Sequence, residues 1–141
     1  MASLMYNEGA TRLQANSTSV LNWTSDTIKI AAVAAAYTPN KDDQFESTIT
    51  SNVIGTAQTL GTKTGPTKNT GTDRVEWFAA NPTWTALAAG STIAGFVVYD
   101  TTPGNATTNP LICYIDTTDT PTNGGNITLD FASAAVFYLQ Q

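Results

Sequence analysis

The residues able to do acid–base or nucleophilic chemistry are few and widely spaced. The chain has no histidine and one cysteine, Cys113, set inside an apolar run. Without an imidazole, Ser-His-Asp and Cys-His catalysis and zinc sites of ordinary composition are excluded. Cys113 has no partner for an internal disulfide and no neighbouring base, so it reads as a small buried apolar residue. The carboxylates fall into three groups: Asp42, Asp43 and Glu46; Asp73 and Glu76; Asp116 and Asp119. Two such groups can serve a glycosidase, but each group here lies in turn-like sequence, where Asp binds backbone amides. Asp116, Asp119 and Asn123 lack the spacing of a calcium loop. Gly55 and the run Gly61-Thr62-Lys63-Thr64 lack the spacing of a phosphate-binding loop, and no parallel-sheet pattern surrounds them. The expectation is a protein with no catalytic residues, no metal and no cofactor.

Charge points the same way. The net charge is −5, and only 12% of the 141 residues are charged. The six basic residues, Arg12, Lys29, Lys41, Lys63, Lys68 and Arg74, are scattered, whereas a nucleic-acid surface needs them clustered. No stretch approaches the length of a membrane span, and the first residues do not read as a signal peptide. Sequons begin at Asn16, Asn22, Asn105 and Asn126, and in a chain with 26 threonines they carry no weight. A thinly charged surface suits a protein partly covered in an assembly.

Abundant threonine and scarce Lys and Glu favour strands over helices. Two apolar runs, residues 93–99 and 110–115, flank a connector rich in Thr, Asn, Pro and Gly. They predict a β-hairpin over residues 92–116 with a long loop. Neither run alternates, so both faces of both strands need cover. One face is assigned to a second sheet and the other to a neighbouring molecule.

Further strands are expected over residues 27–35, 73–78 and 83–87, and a short strand or packing segment over 49–54. Residues 126–131 alternate most cleanly, with Ile127, Leu129 and Phe131 inward. Residues 55–71 read as an exposed ribbon with Pro66 at an edge. Asp43 is placed to cap a short helical turn, with Glu46 completing the capping box. Residues 117–125 read as a long turn, and the apolar run 134–139 as a terminal strand. Residues 8–14 read as a short helix or an extended arm. The sum is an all-β chain, a β-sandwich or jelly-roll-like fold of about seven to nine short strands. It is one β domain over residues 1–141, with residues 1–22 as an N-terminal arm.

Six segments carry a resemblance. They are residues 23–31 (WTSDTIKIA), 37–42 (YTPNKD), 73–76 (DRVE), 82–84 (PTW), 97–101 (VVYDT) and 109–116 (NPLICYID). In this order and spacing the chain resembles small virion structural proteins of tailed bacteriophages, of the capsid decoration or cement kind. The resemblance implies a non-enzymatic protein on the capsid exterior, made in the bacterial cytoplasm. It implies binding to the major capsid protein, with a homotrimer at three-fold or quasi-three-fold positions favoured. A tail, connector or receptor-binding knob component is the alternative, followed by a carbohydrate-binding or lyase-like β-sandwich. Sugar-binding aromatics in that last case would be Tyr37, Trp77 or Tyr138. Candidate subunit-interface residues are the apolar ends, Leu4, Met5, Val136, Phe137, Tyr138 and Leu139. The hairpin's second face adds Phe96, Val98, Ile112 and Tyr114.

Overall fold

The computed structural model describes residues 3–14 and 19–140. The Asn16 sequon and part of the expected arm lie outside them. The fold is all-β, and ten strands are present among the described residues. In chain order they are β1 (Leu4–Met5), β2 (Ile28–Ala34), β3 (Val53–Thr59), β4 (Thr64–Asn69), β5 (Arg74–Phe78), β6 (Thr83–Trp84), β7 (Thr92–Asp100), β8 (Leu111–Pro121), β9 (Ile127–Thr128) and β10 (Phe137–Gln140). One short helix, α1 (Asn7–Arg12), follows β1, and two 3-10 turns (Glu46–Thr48 and Thr50–Asn52) precede β3.

A five-stranded sheet in the order β1-β8-β7-β2-β3 forms the centre. A three-stranded sheet, β10-β5-β4, and a two-stranded one, β6-β9, accompany it, and all pairing is antiparallel. The β7–β8 hairpin is the expected one, and Pro66 lies in β4, an edge strand, where a missing N–H costs no ladder bond.

Alternation splits the central strands between two cores. Ile28, Ile30, Ala32, Phe96, Val98, Ile112 and Cys113 join Trp23, Trp77, Trp84, Phe131, Val136 and Phe137 on one side. Phe137 stacks on Trp77 with centroids 4.8 Å apart and meets Trp23 edge-on at 5.1 Å. Ala31, Val33, Val97, Tyr99, Leu111 and Tyr114 join Tyr6, Tyr37 and Ile49 on the other.

That second side corrects the expectation of a neighbouring molecule. The chain covers it with its own α1 segment and its own loop 37–52. Tyr6, which caps the start of α1, is fully buried, and its amide donates to the Ile112 carbonyl at 3.0 Å. Gly9 permits this approach: a Cβ there would stand 2.6 Å from the Ile112 Cα. The loop is tied to the β7–β8 connector by backbone bonds from Glu46 to Asn109 (2.9 Å), from Ser47 to Ala106 (2.9 Å) and from Leu111 to Gln44 (2.9 Å). The Asn109 amide nitrogen also donates to Glu46 Oε2 at 2.7 Å.

Several local expectations change: residues 50–52 form a 3-10 turn with strand only from Val53, and the strand expected over 83–87 stops at Trp84. Asp43 caps no helix; the 3-10 turn starts after Phe45 with no side-chain cap, and Asp43 instead accepts from Tyr37 Oη. The Thr-rich stretch after Asp116 is not a turn, because β8 continues to Pro121 by pairing with Thr92 and Ile93 across an irregularity. The alternating run 126–131 supplies only the two-residue strand β9, since β6 offers only two residues to pair with.

Candidate functional site

Most carboxylates in the three expected groups bind nearby donors. Asp42 Oδ1 accepts from Asn7 Nδ2 at 2.8 Å, Asp43 Oδ2 from Tyr37 Oη at 2.8 Å, and Glu76 Oε2 from Asn69 Nδ2 at 3.2 Å. Outside those groups, Asp130 is fully exposed. The Ala132 amide and then the Asn81 side chain hold its carboxyl below the usual range. Among the described residues, no group of three His, Cys, Asp or Glu side chains converges as for a metal ion. Burial pushes the Cys113 thiol well above its ordinary value, so it is protonated and inert.

A tyrosine chain forms a buried polar network. Tyr37 Oη donates its single proton to Asp43, which fixes Tyr6 as the donor in the 2.6 Å Tyr6–Tyr37 bond. Burial raises the pKa of both phenols, and the Asp43 charge adds to it. This network joins the N-terminal segment to loop 37–52. Its two phenols are buried, and Asp43 reaches the partly exposed margin.

One open feature lies at the rim of the sandwich. A groove of about 470 Å³ runs between β1 on the five-stranded sheet and β10 on the three-stranded sheet. Its walls are Leu4, Met5 and Ile115 on one side and Val136, Phe137 and Tyr138 on the other. Among the described residues, Lys41 is the only charged one lining it. Tyr138 is 46% exposed, and the Arg74 guanidinium lies 4.1 Å from its ring centre. Arg74 Nε also donates to Gln140 Oε1 at 3.2 Å, which lines guanidinium, phenol ring and amide along the outer face of this sheet.

The groove gathers six of the ten expected interface residues: Leu4, Met5, Tyr114, Val136, Phe137 and Tyr138. Of these, Tyr114, Val136 and Phe137 are buried, and only their margins border it. Phe96, Val98, Ile112 and Leu139 do not line it. Phe96, Val98, Ile112 and Tyr114 are buried in the chain's own cores, so the hairpin offers no free apolar face. Tyr114 lies across Gly95, where a Cβ would collide with its ring, and its hydroxyl donates to the Ala94 carbonyl at 3.2 Å. Of the three candidate sugar-binding aromatics, Tyr37 and Trp77 are buried and Tyr138 alone is exposed. Lys41 and Arg74 were not singled out by sequence; as isolated basic residues beside acidic ones, they give no signal until the strands are paired.

No known protein family, curated protein or solved structure matches this chain.

Proposed function

We propose that the chain is a non-enzymatic capsid decoration protein of a tailed bacteriophage. In this reading it binds the outer surface of the major capsid protein lattice as a homotrimer and braces the shell. The observation that carries it is the groove where the N-terminal strand β1 and the C-terminal strand β10 face each other with apolar walls. It is a surface built for adhesion, in a chain whose acidic groups hold turns and loops. The low charge and the segment-by-segment resemblance to phage virion proteins support the same reading.

Electron microscopy of the purified virion, with protein copy number measured against the major capsid protein, tests it. Regular density over the head and a copy number comparable to the capsid protein are expected. Density confined to the tail or neck, at low copy number, replaces this reading with a tail or connector role.

A further inference from the structure

We infer that the β10 edge accepts an extended, apolar, acid-bearing strand from a partner protein, which adds to the three-stranded sheet and seats in the groove beside β1. The first argument is how this fold treats its sheet edges. An exposed edge strand is a template for pairing, and proteins blunt it with short length, proline, charge or a bulge. Edge β4 carries Pro66 and Lys68 and an irregular register between Thr64 and Thr67. Edge β3 borders an irregularity and carries Gly55 at φ +68°. Strands β1, β6 and β9 have two residues each. Among the described residues, β10 alone is a longer edge with no charge, proline or glycine: Phe137, Tyr138, Leu139 and Gln140. It also borders the apolar groove, so a strand paired there buries its side chains as it forms its ladder.

The second argument is charge, and it chooses the occupant. The chain has eleven acidic and six basic residues. Yet among the described residues no acidic one lines the groove, and Lys41 does. Arg74 stands over the exposed Tyr138 beside it. Neither cation forms an ion pair among the described residues. Glu76 shares β5 with Arg74 and stands opposite Tyr138 in the ladder, where it accepts from Asn69. A carboxylate on the incoming strand meets a cation with no ion-pair partner among the described residues. A second copy pairing β10 with β10 offers only Phe137–Gln140, which carries no carboxylate to meet Lys41.

This inference rests on the decoration reading only for the partner's identity, since a lattice protein would supply the strand. The probe is the synthetic peptide acetyl-Thr-Val-Asp-Val-Thr-Val-Thr-amide, titrated into the isotope-labelled full chain and followed by amide NMR shifts. Shifts confined to residues 137–140, Ser3–Met5 and Lys41 are expected. Tyr138→Lys, at an exposed position, guards the edge with charge and is expected to abolish them. Lys41→Gln, also exposed, is expected to weaken binding about two- to fivefold, the size of one exposed ion pair. Unchanged shifts at millimolar peptide overturn the inference, as do shifts centred on β3 or β4. Shifts of the same residues that follow protein concentration alone overturn it in favour of a second copy. A chain that binds the peptide but is found on the tail keeps the docking site and loses the capsid assignment. A chain that coats the head but ignores the peptide does the reverse.

Discussion

On one face of the five-stranded sheet, Phe96, Val98 and Ile112 share a core with Trp77, Trp84 and Phe137. On the other, Val97, Tyr99 and Leu111 share one with Tyr6, Tyr37 and Ile49. The first core is sealed by two further sheets through apolar area and ring packing. The second is sealed by a helix of six residues and an irregular loop, and its lids are tyrosines whose hydroxyls must find partners. Strands bring their own backbone bonds to a sandwich, so dry packing suffices for them. A loop does not, and here hydrogen bonds from side chains and the neighbouring connector fix it in place. The first face is therefore expected to carry most of the global stability, and the second to open first.

The largest test strikes the dry face. Phe137→Ala removes a ring that contacts both Trp77 and Trp23, and a loss of about 3–5 kcal/mol in urea unfolding is expected. A much smaller loss would mean that β10 contributes little to that core. Gly9→Ala strikes the wired face. Its new Cβ meets backbone, which cannot swing away, so the α1 segment must lift at a cost of about 1–3 kcal/mol. Hydrogen exchange should quicken in loop 37–52 and at Ile112 while residues 96–98 stay protected. Uniform loss of protection would show the two faces to be one cooperative unit.

Tyr6→Phe is the next smaller step. It removes the donor to Tyr37 and should cost about 1–2 kcal/mol, with the fold retained. The same network sets a pH dependence. The folded phenols have raised pKa values, so folding favours their protonated form. Their contribution is fully present below the unfolded phenol value of about 10 and falls away as pH rises above it. The urea midpoint should therefore drop in alkali, and drop less steeply in Tyr6→Phe. An identical alkaline slope in both proteins would remove the tyrosines from the explanation. The smallest effect is expected at Trp84, whose buried indole N–H has no acceptor among the described residues. Trp84→Phe loses packing against Phe96 but also removes that orphan donor, so a net change within about 1 kcal/mol is expected in thermal unfolding.

Much of the dry face was legible in the sequence. Alternation placed Ile28 and Ile30 together, the apolar runs gave β7 and β8, and Pro66 marked an edge. The wired face was not legible, because its cover is a loop with few apolar residues, of which Tyr37 and Ile49 carry the packing. Their role exists only once β2, β7 and β8 are side by side. The same limit hid the end of β8, where Thr and Asp look like turn residues but pair with Thr92 and Ile93. For the groove, the apolar ends were visible at Leu4, Met5 and residues 136–139. Their convergence was not, since it depends on the pairing of Leu4 with Tyr114 and of Phe137 with Trp77, each far apart in sequence. Lys41 and Arg74 were missed for the same reason.

The ties between residues 44–47 and the β7–β8 connector have a consequence for alignment. A strand that slips by one residue turns every side chain to the wrong face. Hairpin β7–β8 has a long connector and two irregularities in its ladder, so its turn alone does not fix the alignment. Asn109 and Leu111 meet Glu46 and Gln44 in one alignment only. A slipped hairpin leaves those bonds unmade and the Glu46 carboxylate without its amide. The loop thus favours the one alignment it covers, and Asn109→Ala, which removes the amide donor to the Glu46 carboxylate, is expected to cost about 1–3 kcal/mol in urea unfolding.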